Sequence, residues 1–333
     1  MLFSSYKLLF LLSLVLGSIL SISATSWFSA WAGLELNLLS FIPLISSYNN
    51  RLSSEAALKY FLIQALGSAM IIFSSTFISL FAYLPYLFIS LSLLLKLGAA
   101  PFHFWFPQVM EGLGWIQAMI LMTVQKLAPM FLISYSILCP FSSGPVFLAA
   151  LISALVGAIG GMNQSSLRKL LSFSSINHMS WMLLAVLINE TLWVSYFIFY
   201  SLLTFSVVLI FHALQLYHIS NVMGGTQTLL SRMIPVLSLF SLGGLPPFVG
   251  FLPKWIVIQE LINSSFVFSL LILLVSSLFT LYFYLRLSLT VLSISPSQNK
   301  WSLSNPPLYF ILSAFFSFFN LFGLLLPSVV MII

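Results

Sequence analysis

Four ionisable residues lie deep within stretches that are otherwise almost entirely apolar: Glu35, Lys96, Lys126 and Lys254. Charged residues make up only 5% of the chain, whereas an ordinary soluble domain has about 25%. An ionisable group at bilayer depth is costly, and it marks a path for protons or ions more often than it supports packing alone. These residue types therefore predict chemistry in which charge is held and moved across a membrane.

Lys126 lies midway between Gly112 and Pro140, too deep to reach the membrane surface easily. Pro129 follows one turn later and is predicted to break the helix, which would loosen it beside the ammonium. Burial disfavours the charged form of an amine, so a buried lysine can exchange its proton near neutral pH. The alternative is a structural lysine that bonds backbone carbonyls and only fixes the packing.

Glu35 and Lys96 form the second candidate group. Glu35 lies near the middle of an apolar segment, and Lys96 precedes a proline at Pro101. If their two segments pack together, we expect an ion pair in which motion of the carboxylate drives proton release from the lysine. A static buried pair that only orients the helices is the alternative.

Lys254 and His178 are weaker candidates. Lys254 follows Pro246 and Pro247, and it either reaches the surface by extending its side chain or becomes a counterpart of Lys126 in a bent helix. His178 follows a run of hydroxyl residues that water could wet. A relay between Lys126 and Lys254 and a hydrogen-bonded packing role are equally open for it.

The apolar windows that must position these residues predict an all-α polytopic membrane protein, since a transmembrane helix needs about 20 apolar residues. We expect about eleven spans with short connections. They lie near residues 5–24, 27–46, 56–81, 84–104, 113–136, 145–163, 168–188, 191–216, 233–260, 266–291 and 307–331.

Alternating the loops across the membrane gives a strong charge bias. The side that holds the N-terminus collects seven basic residues, namely Lys7, Arg51, Arg168, Lys169, Arg232, Arg286 and Lys300. The other side collects none, and its single charged residue is Glu190. The positive-inside rule therefore places the N-terminus on the cytoplasmic or matrix side and the C-terminus on the opposite side.

A proline-interrupted pattern occurs twice, at Pro101 and at Pro246 and Pro247, each time after small residues. Proline breaks a membrane helix because it removes a backbone donor. The two breaks lie five spans apart, an odd offset that inverts the second unit. We therefore predict two inverted five-helix repeats, at 5–136 and 145–291, followed by one C-terminal helix at 307–331. Two unrelated proline kinks are the alternative.

Several functions are disfavoured by composition. The basic residues are scattered singly, which does not fit a nucleic-acid surface. The single cysteine excludes an intrachain disulfide framework and a multi-cysteine metal site. Gly157, Gly160 and Gly161 are explained better by close helix packing than by phosphate binding. No polar cluster predicts a site for a soluble substrate.

Whole blocks of the chain resemble the subunit 2 family of NADH dehydrogenase, respiratory complex I. The blocks are residues 95–107 (LKLGAAPFHFWFP), 125–129 (QKLAP), 157–164 (GAIGGMNQ), 166–178 and 243–255. The likeness covers essentially the whole chain and is closest to animal mitochondrial forms. The resemblance implies fourteen helices in the full-length family, so we expect that this chain, with its eleven predicted spans, lacks three at the N-terminus.

The resemblance implies an antiporter-like, proton-translocating subunit in the mitochondrial inner membrane. It implies no cofactor and no metal in this chain, with NADH, FMN, iron–sulfur clusters and ubiquinone in other subunits. The expected partners are other membrane-arm subunits and phospholipids. The family's charged central axis falls on the same four residues, Glu35, Lys96, Lys126 and Lys254.

Three rival functions stay open at this stage. A cation/proton antiporter subunit without redox partners would share the lysines and the broken helices. A membrane scaffold would use the buried charges only to orient helices. A small-molecule transporter is the third, and the sequence offers it no polar substrate site.

Overall fold

The computed structural model describes residues 5–46, 50–78, 80, 83–220 and 229–293. These residues form helices joined by short connections, apart from one isolated β-bridge between Ser166 and His218. Within this part of the chain, seven helices are long and apolar enough to cross a membrane. The predicted all-helical membrane architecture is confirmed at that level.

The helices follow in chain order: α1 (Ser5–Ile22), α2 (Trp27–Ile45), α3 (Arg51–Thr76), α4 (Leu84–Leu97), α5 (Trp105–Gly112), α6 (Trp115–Met122), α7 (Val124–Ile137), α8 (Pro140–Gly161), α9 (Leu167–Ile188), α10 (Glu190–Ala213), α11 (Leu229–Gly243), α12 (Phe251–Asn263) and α13 (Val267–Ser293). They divide between two compact units. Unit 1 comprises the described parts of Met1–Ser153 and Leu183–Glu190. Unit 2 comprises those of Ala154–Met182 and Thr191–Ile333.

Each of the first ten predicted spans overlaps at least one of these helices, whereas the eleventh, 307–331, lies outside the described residues. The predicted fourth span, 84–104, is interrupted: α4 ends at Leu97 and α5 begins at Trp105. The ninth, 233–260, is likewise divided into α11 and α12.

In unit 1, α1 and α2 pack closely because glycines face each other at their crossing. A Cβ on Gly17 would lie 2.9 Å from the backbone N of Asn37, and a Cβ on Gly33 would lie 2.6 Å from that of Ser21. α3 packs against α2, α4 and α5, while α7 packs against α1, α4 and α6. The core of this unit therefore gathers residues from α2, α3, α4 and α7.

The break between α4 and α5 begins at Gly98, whose φ of 71° lies in the left-handed region. Glycine adopts this angle without the steric cost that a Cβ would bring. The amide of Ala99 then donates to the carbonyl of Leu94 (3.2 Å), which closes the end of α4. Pro101 lies in the non-helical segment that follows, as the sequence predicts for a helix break.

The second interruption of unit 1 lies at Thr123, between α6 and α7, and not at Pro129. The prediction that Pro129 breaks the helix is wrong, because α7 runs through it to Ile137. Thr123 instead has φ −115° and ψ −81°, outside the helical region. Pro129 lies in the second turn of α7, so the carbonyl it leaves without a backbone donor belongs to the first turn, close to where the chain is already non-helical.

Unit 2 contains the break between α11 and α12. Gly244 has a φ of 75°, and its amide donates to the carbonyl of Phe240 (3.1 Å). Pro246 and Pro247 lie in the connecting segment, so both are correctly predicted to fall at a helix break. α11 and α12 both pack against α13. The predicted role of Gly157 in close packing is confirmed, since a Cβ there would lie 2.7 Å from the backbone N of Asn177 in α9.

Candidate functional site

All three candidate lysines are buried in the described structure. Lys96 is 6% exposed, Lys126 2% and Lys254 5%. Neither Lys126 nor Lys254 extends to the surface of its own unit, so the surface-reaching alternative for Lys254 is wrong. Lys7 and Lys59, by contrast, are exposed. The three lysines predicted to lie at membrane depth are therefore the ones that the described structure buries.

In unit 1, Lys126 is the third residue of α7 and lies three residues after the non-helical Thr123. Its ammonium nitrogen lies 4.9 Å from the centre of the Phe106 ring, a cation–π contact. Phe106 belongs to α5, the helix after the first break. Both interruptions of unit 1 therefore contribute to the surroundings of this ammonium.

Lys96 lies in the last turn of α4, where the carbonyl end of the helix favours a cation. The Gln64 amide donates to the Lys96 carbonyl (3.2 Å), and the Trp105 indole N–H donates to the Leu95 carbonyl (3.1 Å) across the break. Gly67 makes room for the lysine stem, since a Cβ there would lie 3.0 Å from Lys96 Cγ. The broken end of α4 is therefore held from α3 and from α5.

Lys96 and Lys126 line one small cavity inside unit 1. Its volume is about 10 Å³, which is roughly the space that the centre of one water molecule needs. The polar part of its wall comes from Asn37, Tyr60, Gln64, Gln125 and the two lysines. A polar cavity of this size between two amines fits a single proton-bridging water.

Glu35 and Lys96 form no direct ion pair among the described residues, so the predicted contact is wrong. One physical reason is the helix arrangement, because α3 packs against both α2 and α4. Glu35 Oε2 is buried and has no hydrogen-bond partner in the described part of the chain. Its charge still acts through space on Lys96 and on the Tyr60 hydroxyl. The two charges are coupled electrostatically without touching.

A hydrogen-bonded set of polar residues in unit 1 escaped the sequence analysis. The Tyr60 hydroxyl donates to Gln125 Oε1 (3.0 Å), and Gln125 Nε2 donates to Asn37 Oδ1 (3.0 Å). The only signals in the sequence were the neutral polar residues in apolar segments, at positions next to Lys126 and close to Glu35. Neutral amides are less costly in a membrane than charges, so they are a weaker sign of a functional site in the sequence.

In unit 2, Lys254 lies in the first turn of α12 and reaches back across the break. Its ammonium donates to the carbonyl of Gly243 (2.8 Å), the last residue of α11. The Trp181 ring centre lies 5.9 Å from the same nitrogen. Carbonyls at the end of a helix lack intrahelical partners, so this cation satisfies one of them.

His178 of α9 is buried, and its Nδ1 lies 2.9 Å from the Tyr196 hydroxyl of α10. The ring centre of Tyr200 lies 5.1 Å from the imidazole. One residue before His178, the side chain of Asn177 accepts a hydrogen bond from Ser276 of α13 (3.1 Å). The imidazole is thus hydrogen-bonded within unit 2, an arrangement compatible with both packing and proton relay.

Within the described residues, no group of three or more His, Cys, Asp or Glu side chains is placed to hold a metal ion. The buried lysines of the two units have amide, carbonyl, phenol and indole neighbours. Such groups can hold protons and pass them to water.

Comparison with known proteins assigns this arrangement to a family. The family model described as NADH:quinone oxidoreductase/Mrp antiporter, TM, matches residues 24–280. The chain is also 46% identical over 342 residues to NADH-ubiquinone oxidoreductase chain 2 of Anopheles gambiae, and the match covers 98% of each chain.

Solved structures share the fold. A chain of respiratory complex I from Thermus thermophilus superposes with a TM-score of 0.84 at 24% identity, covering 98% of this chain and 79% of that one. A chain of the Mrp complex from Dietzia sp. gives a TM-score of 0.79 at 15% identity, with 95% and 75% covered. At these identities the likeness shows that the helical arrangement is common to both kinds of complex.

Proposed function

Because the chain belongs to the NADH:quinone oxidoreductase/Mrp antiporter family of membrane proteins, we propose that it is an antiporter-like, proton-translocating subunit of NADH:ubiquinone oxidoreductase, respiratory complex I. The observation that carries this proposal is the small polar cavity of unit 1, which two buried lysines line together. A subunit whose buried charges only oriented helices would need neither a second buried lysine nor a cavity lined by both lysines.

Proton transfer in unit 1 starts from the electrostatic link between Glu35 and Lys96. A carboxylate near an amine stabilises the ammonium, so a change in its charge or distance changes how firmly Lys96 holds its proton. The proton then passes through the cavity towards Lys126 by way of one water, within hydrogen-bond reach of donor and acceptor.

Unit 2 supplies a second proton-holding site, at Lys254 and His178. The Lys254 ammonium donates to the Gly243 carbonyl, and the Tyr196 hydroxyl orients the His178 ring. The sequence-based hypothesis that a proton passes from Lys126 through His178 to Lys254 stays a prediction.

The finer architecture belongs to the same proposal. We place about eleven spans in the full chain, with inverted repeats at 5–136 and 145–291 and a C-terminal helix at 307–331. The similar breaks support the repeats: in each unit a helix ends before a left-handed glycine, a proline-containing segment follows, and a second helix begins.

The chain is placed in the mitochondrial inner membrane, with the N-terminus in the matrix and the C-terminus in the intermembrane space. The one-sided distribution of basic loop residues supports this orientation. Other membrane-arm subunits and phospholipids surround the chain, and the redox work with NADH, FMN, iron–sulfur clusters and ubiquinone lies in other subunits. This chain contributes to the NADH:ubiquinone reductase reaction by moving protons.

Replacing Lys126 by Met tests the proposal in assembled complexes reconstituted into vesicles. The substitution keeps the length of the side chain and removes the ammonium. We expect the rate of NADH-driven proton translocation through this subunit to fall about 100-fold, the scale on which a positioned acid–base group acts. Lys7→Met, at an exposed lysine of α1, is the matched control. Normal translocation by an assembled Lys126→Met complex would refute the function.

A cation/proton antiporter of the Mrp type is the second candidate, and the shared fold with the Dietzia Mrp chain favours it. Such a subunit works without quinone reductase. Co-purification of the chain with NADH:ubiquinone reductase activity supports the first function, and exchange of cations for protons in its absence supports the second.

A further inference from the structure

We propose that Gln125 is a positioning residue that couples the helix carrying Glu35 to Lys126, through hydrogen bonds to Tyr60 and Asn37. This inference rests on the proposed proton-translocating function. The three hydrogen-bonded residues, Tyr60, Gln125 and Asn37, are called the amide bridge below.

The amide bridge joins three helices, and its two hydrogen bonds run in the same direction, from Tyr60 to Gln125 and from Gln125 to Asn37. The Tyr60 hydroxyl on α3 donates to Gln125 Oε1, and Gln125 Nε2 on α7 donates to Asn37 Oδ1 on α2. Each of these two distances is 3.0 Å. Gln125 therefore uses both ends of its side-chain amide at once. A side chain held at both ends loses its alternative rotamers, so the bridge fixes the geometry of the residue immediately before Lys126.

Both partners of Gln125 are themselves firmly held. Asn37 is 3% exposed and Tyr60 is 2% exposed. The Tyr60 ring lies edge-on to Phe41 at 5.2 Å and 5.9 Å from Trp105. Hydrogen bonds between fixed groups in a water-poor interior are stronger than exposed ones. The bridge is thus anchored in the packed core of unit 1 and does not end on mobile side chains.

The position of the bridge connects the groups that move charge. Asn37 lies two residues after Glu35 on α2, and Gln125 precedes Lys126. Thr123, immediately before α7, has a non-helical conformation, so the first turn of α7 needs support from outside the helix. A displacement of α2 that follows a change at Glu35 is passed through Asn37 to the first turn of α7.

The bridge positions the lysines but does not itself carry protons. A neutral amide offers a donor on nitrogen and an acceptor on oxygen, and it has no site that gains or loses a proton near neutral pH. All three bridge residues line the cavity shared by Lys96 and Lys126. They therefore set the distance that a proton must cross between the two amines, and small misplacements of reacting groups reduce rates strongly.

Four variants test the coupling in assembled complexes reconstituted into vesicles, where proton translocation is measured beside NADH oxidation over a range of pH. They are Tyr60→Phe, Gln125→Leu, Asn37→Leu and the double variant Asn37→Leu with Gln125→Leu. Gln117→Leu is the matched control. Gln117 is also partly buried and also donates to α2, at the Leu44 carbonyl (3.4 Å), but it does not line the cavity.

One hydrogen bond contributes roughly 1 kcal/mol, about a fivefold change in rate if it is needed in the transfer step. We therefore expect Tyr60→Phe to slow translocation about fivefold and Gln125→Leu, which loses two bonds, about 25-fold. The double variant is expected to be no slower than Gln125→Leu, because the lost bond is shared. The pH profile of translocation shifts in all four variants and stays unchanged in Gln117→Leu.

The outcomes separate this inference from the function on which it rests. If Gln125→Leu translocates protons at the normal rate while Lys126→Met does not, the coupling is refuted and the function stands. If Lys126→Met also translocates normally, the function itself fails. Should Gln125→Leu prevent assembly, Tyr60→Phe decides, since it keeps the ring and its contacts: an unchanged rate and pH profile in that variant overturns the inference.

Discussion

Units 1 and 2 each contain a helix that ends before a left-handed glycine, yet they place their lysines differently. In unit 1, Lys96 lies before the break, in the last turn of α4, and shares a cavity with Lys126. In unit 2, Lys254 lies after the break and donates back to the Gly243 carbonyl. Among the described groups, a carboxylate acts on the unit 1 lysine, whereas a helix carbonyl binds the unit 2 lysine.

The same kind of helix break, at a left-handed glycine, therefore occurs beside two kinds of charged site. A carboxylate can change its protonation or move, so it is an adjustable partner for an amine. A backbone carbonyl is neutral and fixed by its helix, so it is a constant one. Under the proposed function, we therefore expect a change at Glu35 to affect Lys96 in unit 1, whereas the contact of Lys254 with its carbonyl in unit 2 stays the same.

The largest expected effect breaks the charge balance of unit 1. Lys96→Met removes the ammonium on which the Glu35 charge acts and leaves the carboxylate, whose Oε2 is buried, without that cation. An uncompensated buried charge costs about 3 kcal/mol. Adding Glu35→Gln is expected to recover at least half of that loss. The thermal unfolding midpoints of purified complexes measure both changes. A double variant no more stable than Lys96→Met would mean that the two charges are not coupled.

A smaller effect is expected at the unit 2 lysine. Lys254→Met removes the hydrogen bond to Gly243, and a bond from a charged donor contributes about 2 kcal/mol. Lys254→Arg keeps the charge and is expected to retain more of the stability than Lys254→Met. Here Glu35→Gln should restore nothing, which distinguishes the two units. Equal unfolding midpoints for Lys254→Met and the unchanged complex would show that the carbonyl contact contributes nothing.

The smallest effect concerns the two left-handed glycines. Gly98→Ala and Gly244→Ala each place a Cβ at a positive φ, which costs about 1 kcal/mol. The added methyl at Gly244 would also meet Lys254 Nζ at 3.0 Å, whereas the one at Gly98 would meet Phe106 Cβ at 3.2 Å. We therefore expect Gly244→Ala to displace an ammonium directly and Gly98→Ala to shift the aromatic wall of unit 1.

Gly144→Ala is the control for both glycines, because a Cβ at that position in α8 has no neighbour within 4 Å. Thermal unfolding and proton translocation are measured together. If both left-handed variants behave like Gly144→Ala, the breaks tolerate side chains and the glycines are not required by their backbone angles.

Much of this structure was predictable from local patterns. Apolar windows predicted the helices. The breaks at Pro101 and at Pro246 and Pro247 were also predicted, because proline acts on its own backbone. The burial of Lys96, Lys126 and Lys254 followed from their position within apolar segments. These features depend on residues close together in the chain.

The contacts between distant residues were not predictable. Tyr60 and Gln125 are 65 residues apart, and Gln125 and Asn37 are 88 apart. Helix periodicity does not say which neighbour a face meets, so the direct Glu35–Lys96 pair was expected wrongly. The interruption predicted at Pro129 lies at Thr123 instead. A proline near the start of a helix disturbs only the first turn, so α7 continues through Pro129.

The absence of a Cβ at Gly67 has a consequence for how far the Lys96 side chain can carry a proton. The hydrocarbon stem of Lys96 rests on this bare patch of α3, where an added Cβ would lie 3.0 Å from Cγ and 3.3 Å from Cε. Because this stem packs against the α3 backbone, the Lys96 side chain cannot move far across the membrane. Under the proposed function, we therefore expect the proton to move by short transfers at the Lys96 ammonium, and a larger residue at position 67 to displace that ammonium.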